Sequence, residues 1–232
     1  MQISGAIALV TGANRGLGRQ FASQLLERGA AKVYATARRP ELVDLPGAEV
    51  LRLDITDPVS VKAAAAKASD VNLLINNAGI TTGANLVGGD LNLIRREMDT
   101  HFWGTLSVIR AFAPQLSGGA ILNVLSALSW FATDGAGGYA AAKAAAWNLT
   151  NAVRLELAAQ KTLVTGLHLG AADTDMMAWY DGPKTDPAVV VRAALDGIEQ
   201  DKIEVLADEW SVQTKTALAD DPSKFYAALA AL

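Results

Sequence analysis

Tyr139 and Lys143 stand four residues apart, so on a helix they share one face with their side chains in reach of each other. A free tyrosine holds its proton to a pH of ~10. A neighbouring ammonium lowers that value, which makes Tyr139 a candidate general acid or base. Ser126 precedes this pair by thirteen residues, at the end of an apolar run. A second group lies near the start of the chain, in Thr11-Gly12-Ala13-Asn14-Arg15-Gly16-Leu17-Gly18. Glycines at 12, 16 and 18 fall where a strand turns into a helix. There a bare backbone can approach a pyrophosphate, and the helix start offers free N–H groups and partial positive charge. The spacing G-x-x-x-G-x-G is neither the G-x-G-x-x-G of the better-known dinucleotide fold nor a P-loop. A glycine turn alone is weak, and a plain tight turn is its bland explanation; the β-α-β setting argues for the nucleotide.

The elements that position these residues are legible from apolar patterning. Ile7 to Gly12 is a short, nearly continuous apolar run, as suits a strand buried on both faces. Leu17, Phe21 and Leu25 then recur every four residues as one stripe of a helix, closed by Gly29. Strands are predicted at Lys32–Ala37, Glu49–Asp54, Asn72–Gly79, Ala120–Ser126, Thr162–Leu169 and Lys202–Ala207. Helices are predicted from Pro58 to Ala68, Asp90 to Phe112 and Tyr139 to Gln160. This alternation predicts an α/β fold: a doubly wound, mostly parallel seven-stranded sheet with helices on both faces, since each parallel crossover needs its own helix. With no linker and no repeat, residues 1–232 read as one domain, and the alanine tracts at 63–66 and 140–146 read as close-packed helix surfaces.

Composition removes other classes. The 232 residues carry 20 Lys plus Arg against 24 Asp plus Glu, a formal charge of −4, and no basic cluster, which argues against a nucleic-acid partner. Zero cysteines exclude disulfides, thiolate nucleophiles and cysteine metal sites. A hydrophobic content of 51% excludes global disorder. The chain start does not read as a signal peptide and no apolar stretch is of membrane-spanning length, so a cytoplasmic protein with no membrane partner is expected. Asp173 and Asp175 have no His or Cys beside them, and no metal is expected.

The order and spacing of TGANRGLG (11–18), NNAG (76–79), Ser126 and Tyr139-Ala140-Ala141-Ala142-Lys143 resemble the short-chain dehydrogenase/reductase family over nearly the whole chain. The resemblance implies a Rossmann-like fold and hydride transfer between a nicotinamide cofactor and a carbonyl or alcohol. It implies that Tyr139 exchanges the proton, that Ser126 hydrogen-bonds the substrate oxygen, and that Lys143 also holds the nicotinamide ribose. Ser129 is the alternative serine, beyond the strand end. Gly12, Asn14, Arg15, Gly16, Leu17 and Gly18 would cradle the cofactor. Asp54 and Ile55 would meet the adenine, Asn77, Ala78 and Gly79 would line the cofactor, and Gly170 and Thr174 would meet the carboxamide end. Where family members that use NAD carry an acidic residue at the end of the second strand, this chain has Ala37, followed by Arg38. Arg38 and Arg15 could pair with a 2′-phosphate, so NADP(H) is expected over NAD(H), with Arg39 read as a solvated loop residue.

Two positions depart from the family pattern. His101 stands where the family places an Asn in a proton relay; it could keep that role, contact substrate or simply fill a helix interface. Leu169 stands where Pro commonly precedes the glycine, and His168 reads as packing at a strand end. The segment at about 171–187 corresponds to the family's substrate lid. Met176, Met177, Trp179 and Tyr180, with Trp130 and Phe131, are the candidate walls of a pocket for an apolar or aromatic carbonyl compound. The bland alternative for these aromatics is ordinary core. The resemblance also implies a homodimer or homotetramer built on the long helices. An NADPH-dependent carbonyl reductase is therefore expected; the alternatives are a cofactor-binding sensor with weakened chemistry, or an isomerase or dehydratase on the same fold.

Overall fold

The computed structural model of the protein describes residues 1–230. Seven strands form one sheet: β1 (Ile7–Thr11), β2 (Lys32–Ala37), β3 (Glu49–Arg52), β4 (Leu73–Asn76), β5 (Ala120–Val124), β6 (Leu163–His168) and β7 (Glu204–Leu206). Every pairing is parallel, in the order β3-β2-β1-β4-β5-β6-β7, so the expected mostly parallel sheet is wholly parallel. All four residues of β4 are buried, as a strand covered on both faces requires.

Two apolar layers sandwich the sheet. On one face Phe21 and Leu25 of α1 (Gly16–Glu27) pack with Val190, Val191, Leu195 and Ile198 of α6 (Pro187–Glu199). On the other, Val61 of α2 (Pro58–Lys67), Phe112 of α4 (Thr105–Phe112) and Leu149 and Val153 of α5 (Gly137–Glu156) form the second layer. Ala140, Ala142 and Ala146 are buried, the close-packed helix surface that the alanine tract predicts. A buried polar chain ties α5 to the sheet: Asn76 donates to Asn123 at 2.8 Å, and Asn123 donates to Thr150 at 2.9 Å. Strand order reverses beside β1, so the loops leaving β1 and β4 part and open a crevice at the C-terminal edge of the sheet.

Three features differ from the sequence expectation. The helix predicted over Asp90–Phe112 is α3 (Leu91–Met98), a π-helical turn at Asp99–Gly104, and α4. Gly104 sits at the bend because a Cβ there would come within 2.9 Å of Ile55. Asp54, Ser126 and Leu169 lie just past their strand ends, free of the ladder and facing the crevice. Helices α6, α7 (Glu209–Ala217) and α8 (Pro222–Ala230), none of them predicted, follow β6 and β7, although α6 carries Val191, Ala194, Leu195 and Ile198 at helical spacing. In α8 Phe225 packs edge-on against Phe131 at 5.2 Å; Ala231 and Leu232 lie outside the described residues. Among the described residues no helix is long and apolar enough to cross a membrane.

Candidate active site

The glycine turn is built as the spacing predicts. Gly12 and Gly16 have φ of +69° and +53°, the left-handed region open to glycine. Gly18 cannot carry a side chain, because a Cβ would run into the Gly12 carbonyl and approach the Asn77 amide at 2.5 Å. Thr11 and Asn77 lock the turn onto β4. The Thr11 hydroxyl accepts from the N–H groups of Asn77 and Ala78 at 2.9 and 3.0 Å, and the Asn77 amide donates to the Thr11 carbonyl at 2.9 Å. Helix α1 opens at this turn without a side-chain cap or an acidic residue, which leaves its N–H groups and partial positive charge for an anion.

From the turn a cleft of about 570 Å³ runs along the sheet edge, within the range of small-molecule sites. Its walls hold Asn14, Arg15, Leu17, Arg38, Asp54, Ile55, Asn77, Ala78, Gly79, His101, Ser126, Tyr139, Lys143, Gly170 and Thr174, together with Gly12, Gly16 and Gly18. The predicted cofactor residues and the predicted catalytic residues thus share one cavity. Arg39, expected as a bystander, also borders it. Arg15 pairs with Asp175 at 3.1 Å across the mouth, both side chains largely exposed. Such pairs contribute little, about 0–1 kcal/mol, so Arg15 remains free to exchange its partner for a phosphate.

At the inner end Ser126 caps the short turn Ala127–Ser129, its oxygen accepting from Leu128 N–H at 3.1 Å. That acceptance leaves the hydroxyl proton available for donation. Lys143 donates to the Val124 carbonyl at 2.7 Å and lies 5.5 Å from the centre of the Tyr139 ring. Burial lowers its pKa to about 7. The expectation that the lysine lowers the Tyr139 pKa is corrected by the site. Burial pushes the phenol up to about 12; the Ser126 hydroxyl pulls it down, and the charge of Glu97 adds to the rise. Desolvation outweighs the helpful neighbour because a phenolate loses its hydration there.

His101, on the π turn, meets Tyr139 edge-on at 5.2 Å, and its Nε2 lies 2.7 Å from the Ile80 carbonyl. Burial, then the nearby Lys143, lower its pKa to about 3, so the ring is neutral and Nε2–H donates to that carbonyl. The side chain therefore braces the loop after β4 from inside the cleft wall.

The pocket-wall expectation divides. Met176 and Met177 border the cleft; Trp130, Phe131, Trp179 and Tyr180 do not. The turn after Ser126 swings Trp130 onto His168, stacked at 4.0 Å, and Phe131 onto Trp210 and Phe225. Trp179 is 70% exposed, its ring N–H bonded to the Met176 carbonyl. Ser129 is buried outside the cleft, with no hydrogen-bond partner for its hydroxyl among the described residues. His168, read from the sequence as packing at a strand end, does pack there against Trp130, and it also supports the site in a way the sequence did not announce. His168 Nδ1 lies 3.0 Å from the Ser126 carbonyl, and burial lowers its pKa to about 4, so a neutral ring donates there and anchors the serine. Its position at a strand end, one residue before Leu169-Gly170, was the available signal. Among the described residues no cluster could hold a metal ion.

Fold and cleft define a class, and comparison with known proteins agrees: residues 6–182 match the short chain dehydrogenase model, and the chain belongs to that family of oxidoreductases acting on alcohol and carbonyl groups. A short chain dehydrogenase from Burkholderia cenocepacia, solved in complex with NADP, is 38% identical, with 99% of each chain covered and a TM-score of 0.93. An NADPH-dependent 1-acyldihydroxyacetone phosphate reductase from Schizosaccharomyces pombe is 33% identical over 78% of this chain; the match spans 64% of that relative's length. A 3-ketoacyl-(acyl-carrier-protein) reductase from Brucella melitensis, solved with NADH, is 25% identical over 84% of this chain and 91% of that one, with a TM-score of 0.78.

Proposed function

We propose that the protein is an NADPH-dependent carbonyl reductase, working on a small apolar or aromatic substrate and able to run the reverse oxidation. The observation that carries this reading is the convergence of Ser126, Tyr139 and Lys143 at the inner end of the cleft whose outer end is the glycine turn. The residues present fit a dinucleotide. Two left-handed glycines and the side-chain-free Gly18 leave backbone room for a pyrophosphate, and the uncapped start of α1 faces it. Bound nicotinamide would supply the hydride.

The chain's own groups supply the rest. Tyr139, protonated at neutral pH, donates to the carbonyl oxygen as that oxygen gains charge. Ser126 O–H hydrogen-bonds the same oxygen, its own oxygen already held by Leu128 N–H. Lys143, poised near neutrality, holds the ribose and returns a proton to the phenol. Preference for the 2′-phosphate rests on Arg38 and Arg15, with Arg39 beside them, and on Ala37 where a carboxylate would repel it. Residues 171–187 act as the substrate lid on one cofactor domain, with Met176 and Met177 as its adaptable inner face. Trp103 and Leu155, exposed by 58% and 79% near and on the long helices, support assembly into a homo-oligomer; a cytoplasmic location goes with this reading.

Titration of the protein with NADPH and NADH, followed by a panel of aldehydes and ketones with the tighter binder, tests the proposal. NADPH should bind at least tenfold more tightly, a difference of about 1.4 kcal/mol. Equal or tighter binding of NADH would refute the assignment of the arginines.

A further inference from the structure

Glu97 lies on α3 between Arg96 and Met98, in a stretch that reads as solvated helix surface, yet it is fully buried. One carboxylate oxygen accepts twice from Thr82, from its N–H at 2.7 Å and its hydroxyl at 2.9 Å. The other has no hydrogen-bond partner among the described residues and abuts Gly138, where a Cβ would collide with it. A buried carboxylate left half satisfied is costly, and an apolar residue of similar volume would pack without that cost.

What the second oxygen faces explains the arrangement. Gly138 is in the first turn of α5, immediately before Tyr139. That turn has no side-chain cap, since Ala136 occupies the cap position, and no acidic residue of its own. Helix starts carry partial positive charge and are stabilised by a nearby anion; here a carboxylate from a different helix supplies it. The same charge acts on the Tyr139 phenol and raises its pKa further. Other groups facing that phenol are Lys143 from α5, with its ammonium over the ring, neutral His101 from the π turn, and the Ser126 hydroxyl. Among them Glu97 brings the only negative charge.

We propose that Glu97 is a positioning residue for Tyr139: it holds the Thr82 loop against the first turn of α5, the turn that carries Tyr139. Glu97 touches neither cofactor nor substrate and acts only through Tyr139. The inference rests on the role of Tyr139 given above.

The test follows the phenol directly. Protein labelled with ¹³C at the tyrosine ring carbon that bears the hydroxyl is titrated toward alkaline pH with NADP⁺ present. The Tyr139 resonance is identified by its loss in Tyr139→Phe. Glu97→Gln, which keeps an acceptor for Thr82 and removes the charge, should bring the onset of the phenolate signal to lower pH. Glu97→Asp keeps the charge but draws it back from α5 by one methylene, and should move the onset less and in the same direction. It supplies the reading if the glutamine variant does not fold. An onset unmoved from the parent protein, in whichever variant folds, overturns the proposal and leaves Glu97 a loop anchor. Failure of the underlying reading looks different: Tyr139→Phe would still consume NADPH with the carbonyl panel, whatever Glu97 does to the titration.

Discussion

At the scale of single residues, burial decides the chemistry more than neighbours do. The Tyr-x-x-x-Lys spacing announces that phenol and ammonium meet, and they do, 5.5 Å from ring centre to Nζ. It cannot announce that the phenol is pushed up to about 12, because that rise comes from water excluded by distant segments. A consequence is directional. Reduction needs the protonated phenol, so its rate should show no alkaline loss from Tyr139 through pH 9, whereas alcohol oxidation should climb with pH over the same range. Steady-state rates in both directions, read beside the Tyr139 ring resonance that separates the phenol from Lys143, check this; a phenolate signal from Tyr139 by pH 8 would place the phenol much lower. Ser126→Ala removes a hydrogen bond that strengthens as the oxygen gains charge, and should lower kcat by about 10²–10³-fold with cofactor affinity unchanged. Arg38→Asp puts a carboxylate where the 2′-phosphate is proposed to sit, and should reverse the preference toward NADH in the binding titration.

At the scale of elements, the junctions are the functional parts. The turn from β1 to α1 tolerates no atom at Gly18 beyond hydrogen, so Gly18→Ala should abolish nucleotide binding in a calorimetric titration while the far-ultraviolet circular dichroism stays helical and sheet-rich. Strands such as Ile7–Thr11 and Leu73–Asn76 were legible because burial on both faces leaves continuous apolar runs. The π turn was not, because Asp99–Gly104 carries no helix breaker apart from its last residue, and the bend answers to Ile55 across the fold. Trp130 and Phe131 illustrate the same limit. They follow Ser126 closely in sequence, but the intervening turn directs them into packing against His168, Trp210 and Phe225 and away from the cleft. Helix α6 did carry local start signals, Asp186 and Pro187, with the Asp side chain accepting from Ala188 N–H at 2.7 Å.

At the scale of the whole molecule, both histidines are buried in the crevice region and neutral, with pKa values lowered to about 3 for His101 and about 4 for His168. An unfolded chain binds protons at histidine near pH ~6.5. Below that pH the unfolded state holds more protons than the folded one, so stability falls as pH drops from 6.5 toward 4. The thermal unfolding midpoint should therefore decline between pH 6.5 and 5, and His168→Phe, which keeps a ring against Trp130, should make the decline shallower; an equally steep slope would remove His168 from that account. The glycine turn and the Tyr139–Lys143 pair were readable because turn and helix motifs are local in sequence, while Ser126 was readable only from the family resemblance. Glu97 and His168 were not, because their importance lies in contacts between segments 15 to 42 residues apart. The most direct measurement is NADPH consumption with a panel of aldehydes and ketones by the parent protein and by Tyr139→Phe, with NADPH affinity measured on both. Turnover in the parent, its loss by at least 10²-fold in the variant and equal cofactor affinity are predicted. Equal turnover in the two proteins would contradict the assignment of Tyr139 as the proton donor.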